Sequence, residues 1–93
     1  MLSAMSNRIL RLRADRVQWR AVEGEVVAVD LESSVYYAVN PTAALIWPEL
    51  ERGATFDGLA DRLVRECGID RAQAAGEVGE FVAALDALEL LER

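Results

Sequence analysis

Ninety-three residues are enough chain for one domain, able to bury a working core without staples but with a modest stability margin. There is no histidine and only one cysteine, Cys67, so an intramolecular disulfide, the usual nitrogen and sulfur ligand sets for zinc or iron, and every Ser-His-Asp or Cys-His nucleophile are excluded. The net charge of −6 is unevenly divided: residues 1–20 hold five arginines (Arg8, Arg11, Arg13, Arg16, Arg20) against Asp15, whereas residues 21–93 hold fifteen acids against five arginines, which disfavours binding to a phosphate backbone.

Carboxylates, arginines and tyrosines are the remaining acid/base groups, and the spacing of Glu25, Asp30 and Tyr37 gives a catalytic site no specific support. The expectation is a protein that is not an enzyme and uses no cofactor and no metal. No apolar run has the length of a signal peptide or approaches the roughly 20 residues of a spanning helix, so the expected location is cytoplasmic, away from membranes.

Residues 1–7 have no periodicity and read as a loose segment, leaving 8–93 as a single domain. Residues 17–22 alternate as a strand does, Glu23-Gly24 is a turn, and Glu25 to Leu31 is a β-branched run, so this stretch predicts a hairpin. After a second turn at Glu32-Ser33, Ser34 to Val39 is another dense strand signal, completing a three-stranded antiparallel meander. Asn40-Pro41 then supplies a favoured N-cap followed by the residue favoured at the first helical position.

The first helix carries Ala44, Leu45, Ile46, Trp47 and Leu50 toward Gly53, with a kink or an early end expected at Pro48. Thr55 is placed to cap a second helix bearing Leu59, Leu63 and Val64, with Gly68 as its stop. The third helix opens at Asp70, where Asp70 and Gln73 have capping-box spacing, and Ala74, Val78, Phe81, Leu85 and Leu88 form its core-facing stripe. Three strands followed by three helices predict an α+β domain of winged-helix-like type.

Two features exceed the needs of a core. The third strand is apolar or aromatic on both faces, with Val35, Tyr37 and Val39 on one and Tyr36 and Ala38 on the other, and in a simple meander its outer edge is unpaired. On the third helix a row of Ala75, Gly79 and Val82, with Gly76 adjoining, runs beside the core stripe, and close approach of another backbone is one reason to keep two helical glycines. Strand addition by a peptide, ordinary core and hairpin packing, and coverage by a second copy or by the N-terminal Ile9, Leu10 and Leu12 all remain open from the residues alone.

The run from Trp19 to Leu91 resembles the PqqD-like family, also called RiPP recognition elements. The resemblance is carried by WRAVEGEVVAVDLESSVYYAVNPTAALIW, by FDGLADRLVREC, by the GID link and by AQAAGEVGEFVAALDALELLE. Its most specific part is Tyr36 to Ala44, a strand ending in an asparagine-capped helix rich in small residues. The resemblance implies a domain that binds the leader segment of a ribosomally made precursor peptide as a strand added to the third strand, against the third helix, and presents it to modifying enzymes. Within the family the YxxNPT stretch is most similar to the discrete leader-binding proteins of lasso peptide biosynthesis, whose partners are a leader peptidase and a cyclase; other clusters, with other modifying enzymes, remain open. The peptide-contacting positions so implied are Val35, Tyr36, Tyr37 and Ala38 on the strand, and Arg71, Ala75, Val78, Gly79 and Val82 on the helix.

Two rival readings belong to other classes. A DNA-binding winged helix shares the fold, but residues 70–93 hold six acids against two arginines, so a recognition helix of this composition repels phosphates and no nucleic-acid partner is expected. A homo-oligomerisation module would pair the apolar edge with a second copy instead of a peptide.

Overall fold

The computed structural model describes residues 8–92, so the loose segment expected at 1–7 lies outside the described residues. The chain forms β1 (Ile9–Leu10), β2 (Val17–Val22), β3 (Glu25–Asp30), β4 (Tyr36–Val39), α1 (Pro41–Arg52), β5 (Ala54–Thr55), α2 (Phe56–Cys67) and α3 (Arg71–Ala87). The three-stranded antiparallel sheet followed by three helices agrees with the α+β, winged-helix-like expectation.

The sheet has the order β2-β3-β4. Glu23 and Gly24 both have positive φ, 53° and 82°, the backbone that lets a two-residue hairpin follow the right-handed twist of its strands. Register pairs Trp19 with Ala28 and Ala28 with Tyr37, so the strands turn Val17, Val26 and Ala28 inward as buried residues. The helices cover that face. Ile46, Trp47 and Leu50 of α1, Leu59, Ala60 and Leu63 of α2, and Ala74, Val78 and Leu85 of α3 share one core with it.

Local signals set the helix ends. Asn40 Oδ1 accepts from Ala43 N–H at 2.8 Å, Thr55 Oγ1 from Gly58 N–H at 3.0 Å and Asp70 Oδ1 from Gln73 N–H at 2.8 Å. The Asp70 cap is only half of a capping box, because the Gln73 amide donates down the helix to Glu77 instead of back to the cap. Gly68 closes α2 in the left-handed region, φ 69°.

The early end expected at Pro48 does not occur; α1 continues to Arg52. Proline in a helix interior costs about 3 kcal/mol, but Ile46, Trp47 and Leu50 on either side of it are all buried. Full burial of each such side chain is worth about 1.5–3 kcal/mol, so together they outweigh that cost.

The N-terminal arm forms a second sheet that is less apparent from the sequence. Ile9 pairs with Thr55 and Leu10 with Ala54, and a bridge joins Leu12 to Leu91. Leu12 N–H donates to Leu50 C=O, Arg13 N–H to Leu90 C=O and Glu92 N–H to Arg11 C=O, so this arm ties α1 to the end of the chain. Leu10, Leu12, Leu90 and Leu91 are buried by it.

One buried charge anchors the approach to β4. Asp30, 3% exposed, receives Arg16 Nε at 2.8 Å and Nη2 at 3.3 Å, and accepts from Glu32 N–H at 3.0 Å. The Arg16 hydrogen bond, helped by the Glu32 amide and the Ser33 side chain and opposed by burial, lowers the carboxyl from its ordinary 3.8 to about 2. Because the folded value is depressed, the contribution to stability is full above the ordinary aspartate range and is lost as pH falls through about 2. An Asp30→Asn variant is therefore expected to be less stable at neutral pH and to lose less further stability on acidification; circular dichroism melts across that range would show parallel curves if the pair contributes nothing.

Candidate functional site

β4 is an edge strand. β3 occupies one of its sides, and no strand pairs with the other among the described residues. Asp30 N–H donates to Val35 C=O at 2.9 Å. Antiparallel pairing alternates from there, so Tyr37 and Val39 exchange hydrogen bonds with Ala28 and Val26, while Tyr36 and Ala38 turn their N–H and C=O groups to the open edge. The edge thus presents two consecutive donor-acceptor sites for an incoming extended chain.

Beside the edge lies a hollow of about 210 Å³ whose strand wall is Tyr37, Ala38 and Val39 and whose helix wall is Phe81, Ala84, Leu85 and Leu88. Trp47 lines it as well, and its ring packs on Phe81 with centroids 5.9 Å apart and on Trp19 at 6.4 Å. These edge and tilted ring contacts build the floor of the hollow from aromatic packing. Leu88, at the C-cap of α3, is 39% exposed where it borders the hollow.

The expected contact residues on α3 divide between its core face and one flank. On the strand side, Val35 is 45% and Tyr36 73% exposed, Ala38 is exposed, and Tyr37 is half-buried against the hollow. On the helix, Val78 is a core residue with no exposure. Gly79 and Val82 line a different hollow with Leu10 and Phe56, and half-buried Ala75 belongs to the same row. Successive residues step about 100° round an α-helix, which puts Ala75, Gly79 and Val82 on one side of the core stripe and Ala84 and Leu88 on the other. The N-terminal arm, through Leu10, reaches the small-residue row, as one of the open readings allowed.

Arg71 is engaged within the chain. Its guanidinium pairs with Asp61 and with Asp57, both on α2, in a half-exposed cluster where solvent screening keeps such pairs weak.

Within the described residues no backbone approaches either glycine of α3 closely. A Cβ at Gly76 would meet nothing within 4 Å, and one at Gly79 would meet only the Phe56 ring at 3.9 Å. Gly76→Ala is therefore expected to stabilise the domain by about 1 kcal/mol through helix propensity; a denaturant midpoint that does not rise would refute this.

Phe81, Ala84, Leu85 and Leu88 carry the helix wall, yet Phe81, Leu85 and Leu88 look from the sequence like core alone. Helical spacing groups them with Ala84, but no local signal says which flank of the stripe meets β4.

Three comparisons bear on this arrangement. The family model described as coenzyme PQQ synthesis protein D (PqqD) matches residues 25–91. No curated protein sequence matches the chain. The solved structure of TbiB1 in complex with the TbiA(β) leader peptide is similar with a TM-score of 0.80 and 28% identity, over 88% of this chain and 94% of that one. A lasso peptide synthetase B1 complexed with the leader peptide is similar with a TM-score of 0.77 and 26% identity, over 90% of this chain and 98% of that one. With the PqqD model spanning β3 through α3 and on to Leu91, and both solved folds covered almost end to end, this chain belongs to the PqqD family.

Proposed function

We propose that the chain is a leader-recognition protein of lasso peptide biosynthesis. It takes the leader segment of a ribosomally made precursor as a fourth strand on β4, seats that peptide's inward side chains against α3, and delivers the precursor to a leader peptidase and a cyclase. The observation that carries this reading is the open edge at Tyr36 and Ala38 lying directly beside the apolar hollow walled by Phe81, Ala84 and Leu88. The two similar solved structures are leader-peptide complexes, which supports it.

In this reading Val35 to Ala38 supply the strand contacts, and Phe81, Ala84 and Leu88 supply the helix contacts. Val78 packs in the core, and Arg71, Ala75, Gly79 and Val82 lie on the side of α3 away from the peptide in this reading. The protein works in the cytoplasm without a catalytic residue or cofactor of its own; among the described residues no helix is long and apolar enough to cross a membrane.

The test is a fluorescence-anisotropy titration with the leader of the short precursor encoded beside this chain, and a scrambled peptide as control. Saturable binding of the leader alone supports the proposal. Equal or absent binding of both peptides, with a dimer seen by light scattering, would leave the edge to self-pairing instead.

A further inference from the structure

The hollow beside β4 does not end at Asn40. A second lobe of about 420 Å³ continues from it, sharing Asn40, Ala43, Phe81 and Ala84 with the first, and Glu77 and Glu80 join its wall. The two lobes differ in chemistry: among the described residues no charged side chain lines the first, whereas two carboxylates and no basic group line the second.

The start of α1, which also borders this lobe, contributes about half a positive charge as a helix N-terminus, less than the two full charges of the carboxylates. Pro41 has no N–H, Ala43 N–H is taken by Asn40 Oδ1 and Ala44 N–H by Asn40 C=O. Glu77 accepts one hydrogen bond, from the neutral Gln73 amide, which leaves its charge uncompensated. On α2, which supplies Leu63 to this lobe, Arg62 is paired with Glu49 and Glu66.

Resting on the proposed strand-addition site, we infer that its ligand is a peptide carrying a lysine or arginine beside an apolar anchor: the anchor fills the lobe between Tyr37 and Leu88, and the cation is held by Glu77 and Glu80. Two helical turns separate Glu77 from Ala84, about 11 Å along the axis. An extended chain covers that length in about three residues, so the cation stands two to four positions from the anchor. The charge step between the lobes also sets the direction in which the peptide lies, with its cationic end past Asn40.

The test uses the leader of the neighbouring precursor and a set of its single-residue variants, titrated into native protein and into the Glu77→Gln/Glu80→Gln double variant, with circular dichroism as a check on folding. Neutralising one cationic residue of the leader is expected to weaken binding to native protein about five- to tenfold at low salt, and to change binding to the double variant less than twofold. A Glu77→Lys/Glu80→Lys protein should in turn prefer the leader in which that residue is glutamate. Equal losses on native and double-variant protein, or tight binding by a leader with no cation within four residues of its anchor, would overturn the inference while leaving strand addition intact. Failure of every leader to bind native protein would instead remove the strand-addition reading itself, and the inference with it.

Discussion

Ala38→Pro is expected to weaken leader binding more than tenfold, a loss of at least about 1.4 kcal/mol, while the domain still unfolds cooperatively. Proline deletes one N–H, and at position 38 that N–H points to the open edge and not to β3. An edge strand tolerates proline where its N–H faces outward, and the residue before it, Tyr37, is already extended as such a residue must be. Val39→Pro is the informative contrast. Its N–H faces Val26, so that variant should lose stability through the ladder itself. Full leader binding by a folded Ala38→Pro protein would show that the peptide does not pair with β4.

The second large effect is expected from filling the hollow. Ala84→Tyr places a ring where the leader's anchor would sit, and because Ala84 is exposed the helix has no core contact to lose. Binding should fall more than tenfold, again about 1.4 kcal/mol or more. Val82→Tyr supplies the control from the opposite flank, where the hollow formed with Leu10 and Phe56 has room for a larger side chain. That variant should bind within twofold of native. If Val82→Tyr is the damaging one, the peptide lies along the Leu10 flank and the two walls of α3 exchange roles.

These two experiments address different parts of recognition. Backbone pairing along β4 is indifferent to the leader's side chains and supplies affinity, whereas the lobes beside α3 choose among sequences. A protein built this way can accept leaders that differ at solvent-facing positions and still reject those lacking the anchor. The ordering of a flexible leader offsets much of the contact energy, so contact with the floor of Trp47 and Phe81 does not convert directly into affinity.

Much of the architecture is legible along the chain because it rests on neighbours in sequence. Glu23-Gly24 can adopt the backbone a tight hairpin needs, Asn40-Pro41, Thr55 and Asp70 satisfy helix N–H groups within three residues, and Gly68 ends α2 through its own φ. The edge at β4 follows in the same way, since a meander of three strands leaves its last strand paired on one side. The absence of histidine and the acidic composition likewise narrow the chemistry before any fold is known.

Tertiary structure alone decided how α3 is turned. Its sequence offers apolar or small residues on both flanks of the core stripe, and helical periodicity is blind to which flank meets the sheet. On one flank the N-terminal arm comes close: Leu10 and Leu12 pack at 4% exposure against partners far along the chain, β1 pairs with β5, and Leu10 lines a hollow together with Gly79 and Val82. Phe81, Ala84 and Leu88 face β4. A pairing of two residues per strand at such separation has no periodicity to betray it, and the proline in α1 is tolerated for a similar reason, because burial of Ile46, Trp47 and Leu50 by distant parts of the chain outweighs the local cost.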